Sequence, residues 1–362
     1  MNIVGSIISF PYMVLWYVVW LTASLARPLF LATIVCMMTN PKAAKEKIKL
    51  IIMTFQFIIL SKDKKWKKSD EDLASYFKDD EGVEKKTIIF VRHGESTWND
   101  TFNKGDRKLG KFILGFIPGL FKSFAAEWYF LVSGKSDESW FFDSPLSAKG
   151  QEQAEGIRKF LKNANPAFST PKEAHLIRLL KGEGETKCQL TSSNLRRAIS
   201  TIAIGLQDRL DKRIKDDKIV VLQELQEASI NPDALSIHPP KGPLVSSWMD
   251  SDRVKEIYAT QCDSSKNLGN KPLKGNGLQR MEKFCYMAFE EFDADAIVAT
   301  GHSYWFRAFF QTYLPKSFDH VSKKKKLING GIVGFTLMRK KTDKGDKYMI
   351  DSSTLVVLYG GF

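Results

Sequence analysis

The stretch Thr87-Ile88-Ile89-Phe90-Val91-Arg92-His93-Gly94-Glu95-Ser96-Thr97-Trp98-Asn99 decides how the rest of the chain is read. Its apolar, β-branched first half has the pattern of a short buried strand, and Gly94 marks the exit loop. An arginine and a histidine therefore stand just beyond a strand end. A lone histidine in that place is an ordinary hydrogen-bonded turn residue unless it has partners elsewhere in the chain.

Working outward, strands and helices alternate. Ser147 to Leu161 has helical periodicity, with Ala154, Ile157, Phe160 and Leu161 on one face. Cys188 to Ser192 reads as a second strand leading into a helix from Asn194 to about Leu210. Lys218 to Leu222 is a third strand. Ala296 to Thr300 is a fourth, feeding Gly301-His302 and a helix through Tyr313. Gly331–Arg339 and Tyr348–Leu358 close the chain as a strand pair. This alternation predicts an α/β fold, a three-layer sandwich around a mostly parallel central sheet. Ligands in such folds sit beyond the carboxyl ends of the strands, where Arg92-His93 and His302 both fall.

Four further features follow in order: Asn99, six positions beyond His93; Asp143-Ser144-Pro145-Leu146-Ser147-Ala148-Lys149-Gly150-Gln151-Glu152-Gln153-Ala154; Ser193-Asn194-Leu195-Arg196-Arg197-Ala198-Ile199-Ser200-Thr201; and Gly301-His302. With Arg92-His93-Gly94-Glu95, this set resembles the histidine phosphatase superfamily, in the phosphoglycerate-mutase-like branch of small-molecule phosphatases and mutases. The resemblance covers roughly residues 86 to 340. It implies that His93 is the nucleophile, that Arg92, Arg197 and His302 form the phosphate pocket, and that Asn99 adds a polar contact. The residue types suit that chemistry. A neutral imidazole can attack phosphorus in line, and planar guanidinium forks grip phosphate oxygens bidentately. A protonated His302 would add a third positive donor.

The leaving alkoxide needs a proton, which the family supplies from a carboxylate after the third strand. Leu-Gln-Glu occurs twice in Val220-Val221-Leu222-Gln223-Glu224-Leu225-Gln226-Glu227. The family-like spacing favours Glu227, with Glu224 as the alternative. Arg196 points about 100° away from Arg197 on a helix and reads as a surface arginine. Gly94 and Gly301 read as sites of close backbone approach to phosphate, or as plain turns. His175, His238 and His320 read as structural.

The chain has 362 residues, 43% of them hydrophobic, and a net charge of +13. Cys36, Cys188, Cys262 and Cys285 form no C-x-x-C pair and have no histidine at ligand spacing. Neither a metal site nor a disulfide framework is expected, nor a cofactor, and a reduced, cytosol-facing compartment fits. From Ile3 to Ala26 there is no charged residue, which is the length of a membrane span. Arg27-Pro28 interrupts it, as a kink or the bend of a re-entrant hairpin, before Leu29–Met38. Lysines 42, 45, 47 and 49, then 62, 64, 65, 67 and 68, bracket the apolar stretch Leu50–Leu60. Such flanks mark the cytosolic side of a membrane segment and attract anionic lipid; alternatively Leu50–Leu60 is a core helix and the lysines are solvated. The division expected is a membrane-anchoring segment at 1–68, a linker at 69–84 and a catalytic domain at 85–362.

That domain carries an unusual insert at about 101–142. Residues 111–132 are heavily apolar with lysines at the edges, and Pro118-Gly119 argues against an uninterrupted spanning helix. The segment is either surface-seeking, dipping into the bilayer beside the active site, or a lid over the domain's own core. Lys323-Lys324-Lys325-Lys326 is either a solvated run or an attractor for an anionic substrate or membrane. The function expected is a membrane-anchored phosphomonoesterase working through a phosphohistidine on a phosphorylated small molecule or lipid phosphate, with no nucleic-acid partner. The alternatives are a phosphoglycerate-mutase-like phosphotransferase and a non-catalytic membrane-bound phosphate- or partner-binding module.

Overall fold

The computed structural model describes residues 34–35, 38, 40–66, 72–79, 81–103, 107–214, 217–343 and 345–362. The uncharged run Ile3–Ala26, expected as a membrane segment, and Cys36 lie outside the described residues.

Seven strands form one sheet: β1 (Val83–Arg92), β2 (Cys188–Ser193), β3 (Ile219–Leu222), β4 (Cys262–Asp263), β5 (Ala296–Gly301), β6 (Ile332–Lys340) and β7 (Lys347–Tyr359). Their order is β4-β3-β2-β5-β1-β6-β7. The first five run parallel, while β6 and β7 are antiparallel to their neighbours. The helices are α1 (Pro41–Leu60), α2 (Thr97–Phe102), α3 (Leu109–Val132), α4 (Ala148–Asn163), α5 (Pro171–Lys181), α6 (Arg196–Gly205), α7 (Gln207–Leu210), α8 (Asp252–Thr260), α9 (Gly277–Glu290) and α10 (Ser303–Tyr313).

Alternation along the strands builds two cores, because successive side chains point to opposite faces. Ile88 and Phe90 of β1 join Phe284 of α9 and Trp305, Phe306 and Phe309 of α10. Ile89 and Val91 face the other way, onto Ala154, Ile157, Leu180, Ile199 and Val254 from α4, α5, α6 and α8. The sheet is thus buried on both sides, as the apolar runs of its parallel strands require. The expected α/β sandwich with a mostly parallel sheet is present. Helices α5, α8 and α9 lie between the motifs and were not anticipated in the sequence.

The boundary near residue 85 falls inside β1, which begins at Val83 opposite Lys340. Upstream, α1 packs on the domain. Ala43, Ala44, Lys47, Leu50, Thr54 and Phe57 form its buried stripe, at helical spacing, while Ile48, Ile51, Ile52, Phe55, Ile58, Ile59 and Leu60 are exposed. Lys47 is not a solvated flank: it is buried, and its Nζ donates to Glu127 Oε2 at 2.9 Å and to the Glu138 carbonyl.

The insert corrects one expectation. Pro118 lies within α3, a continuous helix of 24 residues, about 36 Å long at 1.5 Å per residue. The missing proline N–H removes a single rung of the ladder, and the flanking turns carry the helix through. Among the described residues, α3 is the one helix long and apolar enough to cross a membrane. Most of its apolar surface is uncovered: Ser123 and Phe130 are its buried residues, while Leu109, Ile113, Leu114, Ile117, Phe121, Phe124, Tyr129 and Val132 are exposed.

Candidate active site

The parallel register places the two histidines side by side. Arg92 and Gly301 are opposed at the carboxyl ends of β1 and β5, and the His93 N–H donates to the Gly301 carbonyl at 3.1 Å. The next residue on each strand therefore leaves the sheet at one point. The His93 and His302 rings stand 4.8 Å apart, centroid to centroid. On the far side of β5, β2 ends at Ser193, whose Oγ lies 2.8 Å from His302 Nε2.

The His93 Nδ1 lies 2.5 Å from the Gly94 carbonyl. A carbonyl only accepts, so Nδ1 carries the hydrogen in the neutral ring and the Nε2 lone pair is left exposed to the pocket. Burial, with the Arg197 and then the Arg92 guanidinium nearby, holds the His93 imidazole well below the usual histidine range. His302 is held down likewise, by burial first, then Arg197, His93, Lys271 and Arg92. Both shifts favour the neutral ring, which counts against His302 as a standing positive donor.

The arginines are steered by backbone. Arg92 Nη1 donates to the Leu327 carbonyl at 2.5 Å, and Asn329 Nδ2 donates to the His93 carbonyl at 2.9 Å. Arg197 Nη1 donates to the Asp233 carbonyl at 2.7 Å, with Nη2 3.5 Å from the Asp233 carboxylate. Arg197 Nε and His302 Nδ1 are buried and have no hydrogen-bond partner among the described residues. The Arg197 Nε–H is a donor in any state, and a buried donor left unmet costs about 1–3 kcal/mol; an anion beside it would relieve that.

Glu227 comes to the same place and Glu224 does not. Glu227 accepts the N–H of Trp305 at 3.1 Å through Oε1 and that of Tyr304 at 3.4 Å through Oε2. Its carboxylate thus caps α10, the helix that His302 precedes. Glu224 sits on a 3-10 turn (Gln223–Leu225), where burial raises its pKa and the neighbouring charges are Lys283 and Arg280 of α9.

One other expectation comes out differently. Arg196 is fully buried, not a surface residue. Its Nη1 meets Glu138 at 2.7 Å and its Nε donates to the Asp143 carbonyl at 3.0 Å, which clamps the end of the insert to α6. Asp143, at φ 46°, is held in that left-handed conformation through its carboxylate, which accepts the Arg196 and Ile237 N–H groups. Gly94 meets protein backbone closely: a Cβ there would lie 2.4 Å from the Gly150 carbonyl oxygen, and one at Gly150 would lie 2.0 Å from that of Glu95. At Gly301 the nearest neighbour of a Cβ would be the Phe306 ring, at 3.1 Å. Asn99 lies in the first turn of α2, where its Oδ1 accepts from Asn103 at 2.7 Å; among the described residues no hydrogen bond links its side chain to the histidines or arginines.

The sequence reading missed a buried support beneath Glu227. Asp63, three residues past α1, accepts from Lys271 Nζ (2.7 Å), Arg280 Nη2 (2.6 Å) and the Ser229 N–H (3.0 Å). Lys271 also donates to the Glu227 carbonyl at 2.6 Å and to that of Ser229. Burial pushes the Lys271 ammonium down to about 8. Asp63, Asp233 and Lys271 belong to no local motif, and pairing over such sequence separations leaves no spacing to read.

No family model matches the chain, and no curated protein does. Among solved structures it is similar to a phosphoglycerate mutase from Bacillus anthracis, at 15% identity and a TM-score of 0.35, over 75% of this chain and 94% of that one. It is also similar to a mycobacterial glucosyl-3-phosphoglycerate phosphatase, at 13% identity and a TM-score of 0.34, over 74% and 97%. A phosphoserine phosphatase from Entamoeba histolytica in complex with 3-phosphoglyceric acid matches at 14% identity and a TM-score of 0.30, over 74% and 95%. Overlaps this loose say nothing of activity. These structural neighbours are consistently members of the histidine phosphatase superfamily, the family that the chain's own motifs resemble.

Proposed function

We propose that the protein is a membrane-associated phosphomonoesterase that works through a phosphohistidine. The observation that carries the reading is the His93 Nε2 lone pair, left by the Nδ1–Gly94 contact, beside the buried, unpartnered Arg197 Nε and His302 Nδ1. In the first step Nε2 attacks phosphorus and the bond to the ester oxygen breaks. Glu227, as the carboxylic acid, gives its proton to the departing alkoxide, so an alcohol leaves. In the second step water attacks the phosphohistidine and Glu227 takes its proton. The N–P bond breaks, and inorganic phosphate and neutral His93 are restored. Arg92 and Arg197 hold the equatorial oxygens, where charge builds in the transition state.

The membrane half of the reading is supported by α1 and α3. They run antiparallel, joined by Lys47–Glu127 at 2.9 Å and by Asn40 Nδ2 to the Val132 carbonyl at 2.9 Å. Each leaves an apolar face uncovered, and clustered exposed apolar side chains mark contact with a membrane or a partner. The test is inorganic phosphate release from a panel of phosphoesters by the full-length protein, together with vesicle flotation. Turnover lost in His93→Ala and flotation with anionic vesicles support the proposal. No turnover on any ester removes the enzymatic half, and no flotation removes the membrane half.

A further inference from the structure

Three cations gather on one exposed ring beside the pocket. The Tyr304 ring centroid lies 3.8 Å from Lys326 Nζ, 4.9 Å from Lys64 Nζ and 5.0 Å from the Arg307 guanidinium carbon. The charges are thus within about 10 Å of one another, roughly the Debye length at 0.1 M salt, so salt screens their repulsion only in part. None of the three has a carboxylate at ion-pair distance among the described residues. A cation over an exposed ring gains only about 0.5–1 kcal/mol, a weak return for gathering three like charges from three separate segments.

The cluster adjoins the site through backbone on two sides. Tyr304 is two residues beyond His302, which keeps their Cα atoms within about 7.6 Å, and its N–H lies 3.4 Å from Glu227 Oε2. Lys326 directly precedes Leu327, whose carbonyl holds Arg92. Within the lysine run, Lys323 bonds the Pro315 and Phe318 carbonyls and Lys324 pairs with Asp319. Lys326 is the lysine of the run whose amine lies over the Tyr304 ring.

We propose that Lys64, Arg307 and Lys326 form a second anion subsite, and that the substrate carries a further phosphate close to the scissile one. This rests on the phosphomonoesterase reading above. A second phosphate held there offsets the mutual repulsion and fixes which ester oxygen faces Glu227. The same chemistry is offered by a lipid headgroup phosphate, so the test separates the two sources.

The experiment compares kcat/KM of the full-length protein for ethylene glycol bisphosphate and ethylene glycol monophosphate, in the wild type and in Lys64→Gln/Arg307→Gln/Lys326→Gln. A preference for the bisphosphate of about tenfold or more is expected, since exposed pairs contribute up to about 1 kcal/mol each, and it should fall toward one in the triple variant. Calorimetry with ethylenebisphosphonate against ethylphosphonate reads the same subsite without turnover. A preference in that binding alone, lost in the triple variant, keeps the subsite while the phosphatase reading falls. Equal binding of the two phosphonates, or a preference that survives the triple substitution, overturns the subsite. So does a triple variant that loses only its binding to phosphatidylserine vesicles, which would assign the cations to lipid.

Discussion

The Glu227 carboxylate accepts the backbone N–H of Trp305 at 3.1 Å, which ties the loop after β3 to the helix that begins immediately after His302. If this carboxylate is the proton donor, its loss should depend on the leaving group. Glu227→Gln is expected to lower kcat on an alkyl phosphate by about 10²–10⁴-fold, the usual contribution of general acid catalysis. With p-nitrophenyl phosphate, whose phenolate leaves unaided, the loss should be much smaller. Glu224→Gln should leave both rates close to wild type. Interchanged results would reassign the acid.

Asp63 supports that loop from below, through Lys271 and the Ser229 N–H. Asp63→Asn is therefore expected to act as a weaker Glu227→Gln, lowering alkyl phosphate turnover more than p-nitrophenyl phosphate turnover. The rate ratio of the two substrates checks this, with the unfolding midpoint measured alongside. Equal loss on both would make Asp63 a purely structural residue.

The neighbouring arginines should part company. Arg196→Met leaves Glu138 buried beside the cavity of a lost ion pair, and breaking such pairs costs about 3–5 kcal/mol. Denaturant unfolding should show it, without a selective loss of kcat. Arg197→Lys keeps the charge and gives up the fork; it should reduce kcat/KM at least about tenfold with a smaller stability change.

The histidines should give the fold a pH signature. An unfolded imidazole takes its proton near 6.5, whereas burial and the arginines hold His93 and His302 well below that. Between the folded and unfolded values the unfolded chain binds more protons, so stability rises with pH and levels off above about 6.5. Each histidine contributes up to about 1.36 kcal/mol per pH unit over that window. Melting temperatures from acid to neutral pH should climb less steeply in His302→Asn. An unchanged slope would mean that His302 is already charged in the fold.

The pocket's line-up was legible because strand ends are: Thr87–Val91 and Ala296–Thr300 announce themselves as buried strands, and each delivers a histidine at a fixed distance. What pairs across the chain was not. Arg196 looked like a surface residue because helical geometry says where it points but not that Glu138 and Asp143 wait there. The close approach of Gly94 to Gly150 was not legible, because Gly150 is 56 residues on and meets it only after α4 has packed. Pro118 looked like a break because the local rule omits the turns on either side that carry α3 through it.

The most direct measurement of the central claim is a rapid quench during turnover, with the protein digested and its peptides mapped for phosphoryl groups. The account predicts an acid-labile, alkali-stable phosphoryl group on His93, absent in His93→Ala, which also releases no phosphate. Turnover that continues in His93→Ala, or that proceeds with no phosphohistidine on the peptide holding Arg92 and His93, would contradict it.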